Sequence, residues 1–193
     1  MIGIDVSKWQ KDIDFNKLKE AGVEFIIIRV GSSTGINGEN FLDSKFIQNI
    51  TNANNLNIPV GVYFYSYANS KERAISDAKW VLEQIKDYNV ELGVALDWEN
   101  WNSFNEFNLS FFGLTNMANE FLKVINDAGY KTLLYSSKTY LENMWMDIEY
   151  PIWLAHYVKN TTYKDDYEYW QICSNGQVEG IDADVDIDIR YLN

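Results

Sequence analysis

Along this chain, short apolar runs alternate with segments whose apolar residues recur every three or four positions. The runs at 2–6, 25–30, 60–67, 93–98 and 131–136 are bounded by turn-forming residues and have strand length. The segments between them read as helices. Asp14 caps a short helix through Ala21, and Gly22 ends it. Residues 40–54 predict a second helix, with Phe41, Phe46, Ile47 and Ile50 on one side. Ser70 caps a third, whose Ala74, Ala78, Val81, Leu82 and Ile85 share a face. A long helix follows, with Leu114, Met117, Ala118, Phe121, Leu122 and Ile125 on its buried stripe, and 137–144 is a shorter one.

After residue 144 the pattern changes. Strands at 152–157, 167–173 and 185–192 follow one another with no long helix between them. The chain thus predicts five strand–helix units followed by three strands. Uninterrupted apolar strands imply a sheet buried on both faces, and eight of them close most simply into a barrel. The fold class is α/β, an irregular TIM-like eight-stranded barrel. The competing architecture is an open doubly wound sheet, but no glycine-rich phosphate turn follows the first strand, which argues against its nucleotide-binding form. No repeat or linker divides the chain, so residues 1–193 read as one domain.

Composition narrows the function. Hydrophobic residues make up 47%, so the chain can bury a core. No apolar run approaches the roughly 20 residues of a membrane span, and residues 1–10 lack the basic start and apolar stretch of a signal peptide. A net charge of −12 repels phosphate backbones and bare anionic membranes, which excludes nucleic acid and membrane partners. The lone Cys173 allows no internal disulfide and reads as a core residue. With His156 the only histidine, a multi-histidine metal site is excluded.

The fourth strand runs Gly93-Val94-Ala95-Leu96 into Asp97-Trp98-Glu99. The C-terminal end of a parallel barrel strand is where such folds carry their active sites. Strand geometry puts Asp97 and Glu99 on one face, roughly 7 Å apart along the chain. Two such carboxylates do not ionise independently, so one remains anionic while the other keeps its proton, the combination that glycoside cleavage uses. Asp5 ends the first strand in the same way. Asp182, Asp184, Asp186 and Asp188 alternate along the last, which neighbours the first in a closed barrel. A calcium loop over these aspartates fails, because Ile187 stands where its glycine belongs and Asn193 where its glutamate belongs. Aromatics accompany the acids: Trp9, Tyr63, Tyr65, Trp98, Trp101, Trp153, Tyr157 and Trp170. Their rings suit the apolar faces of sugars. Gly31-Ser32-Ser33-Thr34-Gly35 matches a nucleophile elbow, but a loop rather than a helix follows it.

In their order along the chain, these residues resemble the glycoside hydrolase family 25 lysozymes, the Chalaropsis-type muramidases found as catalytic domains of phage endolysins and bacterial autolysins. The matching pieces are Gly3-Ile4-Asp5-Val6-Ser7-Lys8-Trp9-Gln10, Phe25-Ile26-Ile27-Ile28-Arg29, Gly61-Val62-Tyr63-Phe64-Tyr65 and Leu96-Asp97-Trp98-Glu99. Trp153-Leu154-Ala155-His156-Tyr157, Trp170-Gln171 and Val185-Asp186-Ile187-Asp188 complete the set. Two positions depart from the family pattern. No histidine stands at Phe64, and no aromatic at Ile172. The resemblance implies an irregular eight-stranded barrel and cleavage of the β-1,4 bond between N-acetylmuramic acid and N-acetylglucosamine in peptidoglycan. It implies Glu99 as acid/base, Asp97 as its partner assisting the substrate 2-acetamido group, and Asp5 and Asp186 as further active-site acids. Tyr63, Tyr65, Trp98, Trp153, Tyr157 and Trp170 are the expected sugar-binding residues. No metal and no cofactor are expected. The alternatives are a carboxylate–metal hydrolase and a sugar-binding module without catalysis. Location in the host cytoplasm before lysis, action on the bacterial cell wall and an additional C-terminal wall-binding domain complete the expectations.

Overall fold

The structure is a computed structural model and describes residues 1–191. Leu192, which the pattern assigned to the last strand, and Asn193 lie outside the described residues. In chain order the elements are β1 (Ile2–Val6), α1 (Phe15–Glu20), β2 (Phe25–Ser33), β3 (Asn40–Leu42), α2 (Phe46–Asn55), β4 (Val60–Tyr65) and α3 (Lys71–Ile85). Then come β5 (Gly93–Asp97), α4 (Phe111–Asp127), β6 (Thr132–Ser137), α5 (Lys138–Asn143), β7 (Ile152–Ala155), β8 (Tyr169–Gly176) and β9 (Val185–Arg190).

Eight strands close a barrel in the order β1-β9-β8-β7-β6-β5-β4-β2, with β2 returning to β1 and β3 attached outside the ring. The expected five strand–helix units and three strands are present. Six of the eight seams are parallel, and β9 is antiparallel to both its neighbours. That reversal was not expected from the sequence. It follows from the short β8–β9 connection, since parallel strands require a longer crossover.

The helix expected over 40–54 begins only at Phe46. Asn40–Leu42 instead pairs antiparallel with the end of β2. Asp43 separates the two elements. Its carboxylate takes the Arg29 guanidinium and the Lys45 N–H, and its carbonyl accepts from Phe46. Phe41 therefore stands exposed on a strand rather than sharing a helix face with the buried Phe46. The strand expected over 60–67 ends at Tyr65.

Alternate strand residues serve two cores. One set, including Ile4, Ile26, Ile28, Val62, Val94, Leu96, Leu134 and Leu154, packs outward against the stripes of α2, α3 and α4. The other set fills the barrel with Phe25, Ile27, Leu92, Ala95, Leu133, Trp153 and Tyr169. Gly3 belongs to this inner face, where a Cβ would stand 2.6 Å from the Phe25 ring. Gly93 opens β5 at φ +98, with a Cβ position 2.5 Å from the Lys131 carbonyl, so glycine is required there. That turn sets the phase of β5, with 93, 95 and 97 facing in.

Candidate active site

The inner face is apolar at the base of the barrel and acidic at the mouth, where the parallel strands end. Tyr65 of β4, Asp97 of β5, Tyr135 of β6 and Trp153 of β7 are successive register partners across four strands. On the other side of the ring, Asp5 of β1 partners Asp186 of β9, and Gly3 partners Asp188. Barrel closure brings these arcs together around a cavity of about 210 Å³. Asp5, Asp97, Glu99 and Asp186 line it, with Tyr63, Tyr135, Trp153, Tyr157 and Gln171.

Asp5 and Asp97 are each 5% exposed, Asp188 is fully buried, and Glu99 stands at the open rim past the end of β5. Burial is the main reason that every one of these carboxyls holds its proton more tightly than in water. For Asp97 the charge of Glu99 adds to the rise and Arg29 opposes it. For Glu99 the second cause is Asp186. Asp186 itself is pushed up to about 6. Each acid therefore keeps its proton to higher pH than a free carboxyl, and neighbours this close titrate together rather than singly.

Few donors meet these acids. Gln171 Nε2 donates to Asp5 Oδ2 at 2.7 Å, and Trp153 Nε1 donates to Asp188 Oδ1 at 2.8 Å. Asp97 Oδ1 and Asp188 Oδ2 are buried with no hydrogen-bond partner among the described residues. An unpaired buried carboxylate oxygen is costly unless a ligand group completes it. Arg29 supplies positive charge from β2. Asp43 holds it with bonds of 2.8 and 2.5 Å and also accepts the Lys8 N–H at 3.1 Å.

Of the aromatics expected to bind sugar, Tyr63, Trp153 and Tyr157 line the cavity. Trp153 is 1% exposed and meets Tyr63 and Tyr135 edge-on, so it is a floor rather than a stacking surface. Tyr65 lies beside Asp97 and packs on Tyr67. Trp98 and Trp170 are not in the cavity. Each follows or precedes an inward residue, so strand alternation turns it outward. Trp98 is fully buried under Trp101 and Phe107 and donates to the Ala68 carbonyl. Trp170 donates to the His156 carbonyl. Asp182 and Asp184, beside the acids in sequence, are exposed before β9. Ser32 and Ser33 of the elbow-like turn are buried and donate to backbone carbonyls.

Tyr135 and Gln171 were not anticipated in the cavity wall, whereas Asp188 is one of the last-strand acids expected near Asp5. Alternation offered a signal. Tyr135 is two residues from the inward Leu133, and Gln171 is two from Tyr169. A second cavity of about 300 Å³ adjoins the first through Glu99, Tyr135 and Tyr157, and reaches Lys138 and His156. A larger one, about 650 Å³, lies beside α1 and contains none of the mouth acids. Among the described residues, no three carboxylate, thiol or imidazole side chains are grouped to hold a metal ion, and no helix is long and apolar enough to cross a membrane.

Comparison with known proteins places the chain among related sequences and folds. Lysozyme M1 of Streptomyces globisporus is 28% identical over 95% of this chain and 65% of its own length. The autolytic lysozyme of Clostridium acetobutylicum is 26% identical over 97% of this chain, which spans 55% of that protein. The structure of the modular autolysin LytC from Streptococcus pneumoniae, in complex with a synthetic peptidoglycan ligand, superposes with a TM-score of 0.87 at 27% identity. That match covers 98% of this chain and 46% of LytC. The family model for glycosyl hydrolases family 25 matches residues 4–181, and this chain belongs to that family.

Proposed function

We propose that this chain is an N-acetylmuramidase that hydrolyses the β-1,4 bond between N-acetylmuramic acid and N-acetylglucosamine of peptidoglycan. The observation that carries the reading is the pair at the end of β5. Asp97 is buried with one oxygen unpaired, and Glu99 stands at the rim with a raised proton affinity. The two relatives named lysozymes and the peptidoglycan-bound autolysin support the substrate class.

Glu99 protonates the glycosidic oxygen as the bond breaks. The 2-acetamido carbonyl oxygen of the substrate attacks the anomeric carbon. The Asp97 carboxylate accepts the acetamido N–H and offsets the positive charge developing on that nitrogen. Glu99 then takes a proton from the water that opens the cyclic intermediate. Asp5 and Asp186 keep the electrostatic potential of the mouth negative, which favours a transition state with positive character. The barrel carries −12, whereas Gram-positive walls carry anionic polymers. Wall retention therefore falls to an additional wall-binding domain of the natural protein.

Mass spectrometry of digested peptidoglycan tests the assignment. New reducing-end muramic acid is the expected product. New reducing-end glucosamine, or no new reducing end at all, would rule the assignment out.

A further inference from the structure

Gln171 sits at the centre of the cavity wall, 3% exposed, and ties together three other chain segments. Its Nε2 donates to Asp5 Oδ2 at 2.7 Å. Its Oε1 accepts from the Tyr135 hydroxyl at 2.8 Å and from the Tyr157 hydroxyl at 2.7 Å. With Asp5 ionised, the amide has one way round that satisfies all three contacts. A carboxylate only accepts, so the nitrogen faces Asp5 and the oxygen faces the tyrosines. Both hydroxyl protons are thereby committed to Gln171, and each hydroxyl keeps lone pairs for a further partner.

We infer that Gln171 is a positioning and specificity residue that makes Tyr135 and Tyr157 a hydrogen-bond-accepting wall, reading O–H or N–H donors of the bound sugar. This rests on the glycan-hydrolase reading above. Asp5, held on the other side of the amide, is kept in register with the same wall. The two hydroxyls on this side thus favour sugar hydroxyl and acetamido N–H groups over a substrate carbonyl or carboxylate. An anionic substituent meets lone pairs and acids on this wall, and turns instead toward the rim.

Two substitutions separate the two ends of the amide. Gln171→Met removes both and should raise KM for soluble peptidoglycan fragments and lower kcat, with kcat/KM falling about 10- to 100-fold. Gln171→Glu keeps an acceptor for the two tyrosines and replaces the neutral amide donor to Asp5 by a second carboxyl. It should leave KM within about 3-fold of the parent while kcat falls. A purely structural role predicts instead that both variants lose activity in proportion to their loss of thermal stability. An unchanged KM in folded Gln171→Met, or an equal rise of KM in both variants, overturns the inference. If Gln171→Met does not fold, the double variant Tyr135→Phe/Tyr157→Phe must raise KM at least about 5-fold, and an unchanged KM overturns the inference. Failure of the muramidase reading is seen separately, in the product analysis of the unmodified protein. Fragment Kd values then replace KM in the same comparison.

Discussion

Asp5 and Asp186 come from opposite ends of the chain and stand as register partners across the antiparallel seam between β1 and β9. Their proximity concentrates charge at the mouth, and Asp186 in turn raises the proton affinity of Glu99. Asp186→Asn removes that charge, so Glu99 should release its proton at lower pH. If Glu99 must be protonated to act, the alkaline limb of the kcat/KM profile moves to lower pH. A limb that stays in place would show that Asp186 does not set the acid.

Glu99→Gln keeps the side chain's size and removes the transferable proton. Positioned acid–base groups contribute roughly 10²–10⁴-fold, so a loss of at least about 100-fold in lytic rate is expected, with folding intact. Turbidity clearance of isolated walls and a thermal melt measure the two. Near-parental clearance would mean that another group is the acid.

Asp97→Asn retains a hydrogen-bonding group and removes the charge. Turnover should fall by about 100-fold or more with little change in fragment binding, because the anion acts on charge that develops only in the transition state. De-N-acetylated muramic acid lacks the internal nucleophile, and strands carrying it should bind without being cut. Efficient cleavage of such strands, or a glycosyl adduct trapped on Asp97, would replace the acetamido route by direct carboxylate attack.

The acid cluster also makes stability depend on pH. A carboxyl with raised folded-state proton affinity binds more protons in the folded than in the unfolded chain, so stability falls as pH rises through the folded value. For Asp186 the window opens near the ordinary 3.8 and closes above about 6. For Asp5, Asp97 and Asp188 the direction is the same, with burial as the main cause. The melting temperature should be several degrees higher at pH 5 than at pH 7. Replacing Asp188 by Asn should flatten the difference. A melting temperature that rises steadily toward pH 7 would contradict the raised values.

Much of this was legible in the chain before folding. The order of strands and helices follows from apolar periodicity and from caps such as Asp14 and Ser70, whose side chains accept from the first-turn N–H groups. Asp97 and Glu99 announced themselves as polar residues closing an apolar run. Asp5 did the same on the first strand. Periodicity is local, however, and strands buried on both faces carry apolar residues in both phases, so it does not say which phase faces inward. The tertiary structure decided that for Trp98 and Trp170, which alternation turns into the outer core once Asp97 and Gln171 point inward.

Direction and register lay equally beyond the sequence pattern. An antiparallel β9 presents Asp186 at the mouth and Asp188 beneath it, while Asp182 and Asp184 remain in the exposed approach. The same closure sets Gln171 against Asp5, Tyr135 and Tyr157, residues with nothing in common along the chain. The amino-acid sequence by itself determined which residues are apolar, the order of strands and helices, and which acids follow the apolar runs. Only barrel closure decided which of them meet, because hydrogen-bond register between distant strands is a property of the closed ring rather than of any one segment.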